Sequence, residues 1–138
     1  MPPLRPADHP AAEAEWLVAC LCAAWCRTCD DYRQVMAEAA RAHPGLRFVW
    51  VDIEDHAAAL DDPQGAADDI EDFPTLLIAR HGEAHFFGTV TPHPGVLARL
   101  VEQAAAGALP ALADAAARRM ARAVTALAHE APGPLRVS

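Results

Sequence analysis

The chain has 138 residues, 53% hydrophobic and 22% charged. That balance excludes a disordered polymer and supplies enough apolar surface for one core without disulfide staples. Eleven basic against 19 acidic residues leave a net charge of −8, which argues against general affinity for nucleic acid or anionic membrane, whose phosphates need clustered Lys and Arg. Every basic residue is Arg, a compositional bias that carries no function by itself.

Residues 1–13 read as an extended Pro-rich arm. The continuous apolar run Trp16–Cys22 predicts a strand covered on both faces. From Cys26 to Ala42 the spacing of Tyr32, Val35, Met36, Ala39 and His43 predicts a helix, stopped by His43-Pro44-Gly45. Arg47–Ile53, rich in β-branched and aromatic residues, predicts a second strand, and two parallel strands joined through a helix make a right-handed βαβ unit. Residues 54–73 carry eight carboxylates without the spacing of a calcium loop and read as a solvated segment. Thr75–Ala79 and Ala84–Gly88, flanking Arg80-His81-Gly82-Glu83, predict an antiparallel hairpin. Thr91-Pro92-His93-Pro94 opens a helix whose apolar stripe includes Val96, Leu97, Leu100, Val101, Ala104 and Ala105. A last helix is expected to turn Leu112, Ala116, Met120, Val124 and Leu127 inward, with Arg118, Arg119 and Arg122 on its solvated side. The apolar run that includes Leu17–Trp25 is far shorter than the roughly 20 residues of a membrane-spanning helix. The N-terminal residues lack the apolar centre of a secretory signal, so a cytoplasmic location is expected.

All four cysteines, Cys20, Cys22, Cys26 and Cys29, fall within ten residues. Scaffold disulfides spread along a chain, so this clustering points to redox or metal chemistry. Cys26 and Cys29 are spaced C-x-x-C at the junction of the first strand and the first helix. A helix N-terminus presents unpaired N–H groups and a positive dipole end, which stabilise a thiolate. Two intervening residues return Cys29 to within one turn of Cys26, close enough for a readily reduced disulfide. Cys26 is then the attacking sulfur and Cys29 the resolving one. A second signal is Phe73-Pro74-Thr75-Leu76, where a proline heads a buried strand, a place that suits either a pairing stop or a cis bond.

Ala24-Trp25-Cys26-Arg27-Thr28-Cys29, Val51-Asp52-Ile53, Asp72-Phe73-Pro74-Thr75-Leu76-Leu77-Ile78 and Gly82-Glu83 together resemble the thioredoxin family over about residues 14–105. The resemblance implies an α/β thioredoxin-like fold, a mixed central sheet flanked by helices. It implies a domain over 14–106; the C-terminal helix over 107–130 is additional to the family's pattern, and the Pro- and Gly-containing residues 131–138 read as a flexible tail. It further implies a protein dithiol–disulfide oxidoreductase with Cys26 and Cys29 as the redox-active pair and no cofactor. Pro74 is then the family's cis-proline, and Trp25, Arg27, Thr28, Phe73, Pro74 and Thr75 form the substrate-binding surface. Implied partners are protein disulfides and, as reductant, a thioredoxin reductase or another dithiol donor, with no nucleic acid and no membrane. The chain differs from thioredoxins in having Arg27-Thr28 where they have Gly-Pro, Cys20 where they have a buried acid, and Trp50 where they have Lys. Arg27 adds a cation and Cys20 removes an anion near the Cys26 thiolate, and both changes favour a more oxidising disulfide.

Other readings of the cluster are weaker. Cys22, Cys26 and Cys29 also spell C-x3-C-x2-C, an iron–sulfur spacing, but Cys22 falls inside a predicted strand and Pro74 would go unexplained. No metal is expected. Cys20 and Cys22 alternate onto one face of the first strand, and packing is the expected role of both, since buried thiols are generally inert. Trp25 is expected to shield one side of the redox pair. A binding or chaperone-like module that uses the groove around Pro74, with little redox turnover, is the alternative function.

Overall fold

The computed structural model describes residues 16–22, 27–53, 74–91 and 93–130. The arm, the acidic segment and the tail lie outside the described residues, as do Trp25, Cys26 and Phe73.

Strand β1 (Trp16–Cys22) is central, and all seven of its residues are buried. It pairs in parallel with β2 (Arg47–Asp52), from Leu17 opposite Arg47 to Cys22 opposite Asp52. On its other side it pairs antiparallel with β3 (Thr75–Arg80), from Trp16 opposite Arg80 to Leu21 opposite Thr75. Strand β4 (Glu83–Thr89) closes the order β2-β1-β3-β4 by antiparallel pairing with β3, with a register irregularity at Ile78 and Ala79. A parallel neighbour requires a crossover, and helix α1 (Arg27–Ala42) supplies it between β1 and β2. The β3–β4 turn places His81 at φ 54° and Gly82 at φ 80°. Two successive left-handed residues match the right-handed twist of the flanking strands, and Gly82 adopts that conformation without steric cost.

Helix α2 (Pro94–Ala105) starts on a proline, and the His93 ring accepts a 3.1 Å hydrogen bond from the Gly95 N–H as its cap. Helix α3 (Ala115–Glu130) is capped by Asp114, whose carboxylate accepts from the Ala117 N–H at 2.8 Å. The connector between α2 and α3 runs along β4. His85 donates from Nδ1 to the Leu109 carbonyl at 2.8 Å, and the Leu112 N–H donates to the Ala84 carbonyl at 2.8 Å. These bonds cover part of an edge that would otherwise offer unpaired backbone groups.

The strict alternation of β1 divides the interior in two. Trp16, Val18, Cys20 and Cys22 face Cys29, Tyr32 and Met36 of α1 and Leu97, Val101 and Ala104 of α2. Leu17, Ala19 and Leu21 face α3. The added helix therefore covers the second sheet face. Its buried stripe is Ala117, Met120, Ala121, Val124 and Ala128. Of the expected stripe, Met120 and Val124 are buried, and Ala116 gives way to Ala117. Leu127 and, from the connector ahead of α3, Leu112 pack against this core while partly buried. Ala-rich helices define a face poorly by periodicity, and small residues allow close approach to a sheet. The last turn is tied down by Arg47, which donates to the Ala128 carbonyl at 2.7 Å.

Candidate functional site

The site forms where the carboxyl end of β1 meets the amino end of α1. Cys22 is the last residue of β1, and its carbonyl accepts from the Ile53 N–H at 2.9 Å. Cys29 is the third residue of α1, within the turn whose backbone N–H groups lack intrahelical partners. The two Cα atoms are 5.9 Å apart, and the two sulfurs are joined in a disulfide. Both residues are sealed from solvent, Cys22 at 0% and Cys29 at 1% exposure. Packing alone was expected of Cys22, and the disulfide corrects that reading. The two sulfurs meet because the end of β1 and the first turn of α1 lie side by side.

Cys20, one alternation earlier on the same face, keeps its thiol and is fully buried. Its Sγ lies 3.4 Å from the Sγ of Cys22. A disulfide sulfur carries no proton, so Cys20 is the donor. Tyr32, one turn beyond Cys29 on α1, is also fully buried, and its hydroxyl has no hydrogen-bond partner among the described residues. Burial, and secondarily the neighbouring Cys20, push its ionisation well above the ordinary phenol value, so the ring stays neutral. Trp50, opposite Cys20 in the β1–β2 register, carries the Arg33 guanidinium 4.4 Å above its ring.

The other expected site residues distribute unevenly. Arg27 is exposed and Thr28 half-buried in the first turn of α1. Pro74 is buried immediately before β3, and its carbonyl accepts from the Val90 N–H at 3.1 Å. Since Thr75 pairs with Leu21, the register carried one residue further sets Pro74 level with Cys22. Thr75 is 2% exposed within β3. Trp25, Cys26 and Phe73, and with Phe73 the expected cis bond, lie outside the described residues. Cys22 is the participant that sequence reasoning assigned to packing. The available signal was its position on the same face as Cys20, nearest to the helix start.

Among the described residues no group of three or more His, Cys, Asp or Glu is placed to hold a metal ion. No helix among them is long and apolar enough to cross a membrane.

No protein-family model matches the sequence, and no curated protein matches it. Solved structures do. Oxidised mitochondrial thioredoxin 3 from Saccharomyces cerevisiae superposes with a TM-score of 0.55 at 18% identity, over 67% of this chain and 81% of that one. Thioredoxin from Trypanosoma brucei brucei gives 0.56 at 23% identity, over 69% and 79%. Oxidised thioredoxin from Plasmodium falciparum gives 0.55 at 16% identity, over 73% and 93%. With its mixed four-stranded sheet and flanking helices, the chain has a thioredoxin-like fold.

Proposed function

We propose that the protein is a dithiol–disulfide oxidoreductase acting on protein disulfides through Cys26 and Cys29. The observation that carries this reading is the engagement of Cys29, in the first turn of α1, in a disulfide at the end of the central strand. A sulfur there stands within the field of the helix N-terminus, which favours the thiolate form and eases both attack and departure.

In the proposed cycle the Cys26 thiolate attacks one sulfur of a substrate disulfide. A mixed disulfide forms, and the first substrate sulfur leaves as a thiolate. Cys29 then attacks Cys26 Sγ, the second substrate sulfur departs, and the substrate has gained two electrons that the chain has lost. A dithiol donor, such as a thioredoxin reductase, restores the reduced chain, and the protein itself needs no cofactor. Exposed Arg27 and half-buried Thr28, with Trp25, Phe73, Pro74 and Thr75, are assigned to the docking surface around Cys26. A cytoplasmic setting, where thiols are kept reduced, suits this cycle.

Turnover of a model protein disulfide, with dithiothreitol as the electron source, tests the reading. Cys26→Ser is expected to abolish turnover, and Cys29→Ser to leave Cys26 stranded in mixed disulfides that dithiothreitol releases. Turnover unchanged in Cys26→Ser, or equal trapping by both variants, overturns it. A folded protein that neither turns over nor traps a substrate is instead the binding or chaperone-like module.

A further inference from the structure

We propose that Cys22 is a second resolving thiol, which draws the disulfide from Cys26–Cys29 into the core as Cys22–Cys29 and so returns Cys26 to the thiol state. This inference rests on the oxidoreductase reading of Cys26. Cys29 has one sulfur and forms one disulfide at a time, so its bond to Cys22 and a bond to Cys26 are alternative states of the same chain.

The transfer balances without an outside oxidant. Cys22 gives up its proton, and its thiolate attacks Cys29 Sγ. The Cys22–Cys29 bond forms, the Cys26–Cys29 bond breaks, and the electron pair leaves on Cys26, which remains a thiolate or takes up a proton. A leaving sulfur of low pKa departs faster, and Cys26, immediately ahead of the helix, is the better leaving group of the two. The attacker sits in an apolar core, where a thiolate is costly unless it receives a hydrogen bond. Cys20 supplies one, with its sulfur 3.4 Å from that of Cys22. It acts as a positioning residue that keeps its proton throughout.

Burial gives the relay its consequence. At 0% and 1% exposure, neither sulfur of the Cys22–Cys29 bond offers a face to a protein-sized reductant. Reduction of that bond by a partner then runs backward through Cys26. The oxidised chain meanwhile presents a reactive thiol instead of a disulfide, so it still captures partners that carry a disulfide.

The test uses the full-length chain, fully reduced, mixed with one equivalent of a peptide whose single cysteine is capped with thionitrobenzoate. Aliquots are alkylated over time and the disulfides mapped by mass spectrometry. The wild type is expected to show Cys26–Cys29 first and Cys22–Cys29 afterwards, with Cys26 alkylated at the end. Cys22→Ala is expected to stop at Cys26–Cys29, and Cys20→Ala to slow the conversion about tenfold while leaving the first step unchanged. A wild-type end product of Cys26–Cys29 overturns the relay and leaves the oxidoreductase reading standing, and this outcome needs no variant. Cys26→Ser is expected to resist the peptide and still form Cys22–Cys29 with diamide, a small diffusible oxidant. If the peptide oxidises Cys26→Ser at the wild-type rate, Cys26 is not the point of entry and the underlying reading falls.

Discussion

The two faces of the sheet are built from different materials. Against α3 the packed apolar side chains are Leu, Val, Ala and Met, with Thr75, paired with Leu21, as a buried polar residue on the same face. Against α1 and α2 it holds three sulfurs from cysteine, two Trp rings at its rim and a phenol whose hydroxyl has no hydrogen-bond partner among the described residues. One strand serves both, since odd residues of β1 face α3 and even residues face the cysteine side. The α3 face therefore bears stability, and the α1–α2 face combines stability with chemistry.

The largest effect that would test this division is on the α3 face. Met120 is fully buried, and Met120→Ala is expected to cost about 3 kcal/mol of unfolding free energy, read by urea denaturation. Disulfide mapping and thiol reactivity of the folded variant should match the wild type. A shifted disulfide pattern in Met120→Ala would show that the two faces are coupled through the sheet.

On the other face, the Cys22–Cys29 link closes a short loop, with seven residues of sequence separation. Restricting the unfolded chain over so short a loop is worth about 2 kcal/mol in the chain-entropy account. Oxidised and reduced wild type should differ in unfolding free energy by about that amount, read by urea denaturation, and Cys22→Ala, whose oxidation stops at the shorter Cys26–Cys29 loop, should show a smaller difference. An undiminished difference in Cys22→Ala would assign the redox-linked stability to another pair.

The smallest expected effect comes from Tyr32 and has the opposite sign. Its buried hydroxyl, without a partner among the described residues, costs stability that Tyr32→Phe recovers, about 1 kcal/mol near neutral pH. The variant should also lose a high-pH dependence. The folded phenol ionises above the ordinary value of 10.0, so above that pH the unfolded chain releases a proton that the folded chain retains. Stability of the wild type should accordingly fall as pH rises past 10.0, by at most about 1.4 kcal/mol per unit from this group. Urea melts at pH 9 to 11 that show equal slopes for wild type and Tyr32→Phe would place the ring in contact with water.

Local pattern accounts for much of what was legible in advance. The bounds of β1, the course of α1 and the β3–β4 hairpin follow from dense apolar runs, 3.6-residue spacing and the His81-Gly82 turn. The inward face of α3 was legible only in part: Met120 and Val124 follow the spacing, whereas tight packing against the sheet favours Ala117, Ala121 and Ala128 over Ala116 and Leu127. Cys22 was set aside for a related reason. A cysteine inside an apolar strand looks like any small hydrophobe until its neighbours in space are known.

The alternation along Trp16–Cys22 by itself determined that Cys20 and Cys22 share a face, since a strand has a period of two. The cluster of four cysteines at a strand–helix junction likewise determined that sulfur chemistry was the question to ask. The partner of Cys29 was decided only by tertiary structure. Disulfide bonding depends on the few ångströms between particular Cβ atoms, and here the end of β1 and the first turn of α1 hold Cys22 and Cys29 at 5.9 Å between Cα atoms. Tertiary structure also decided the placement of β3 beside β1, and with it the level of Pro74 against Cys22. Long-range pairing is selected by the burial of whole faces, which no local stretch of residues encodes.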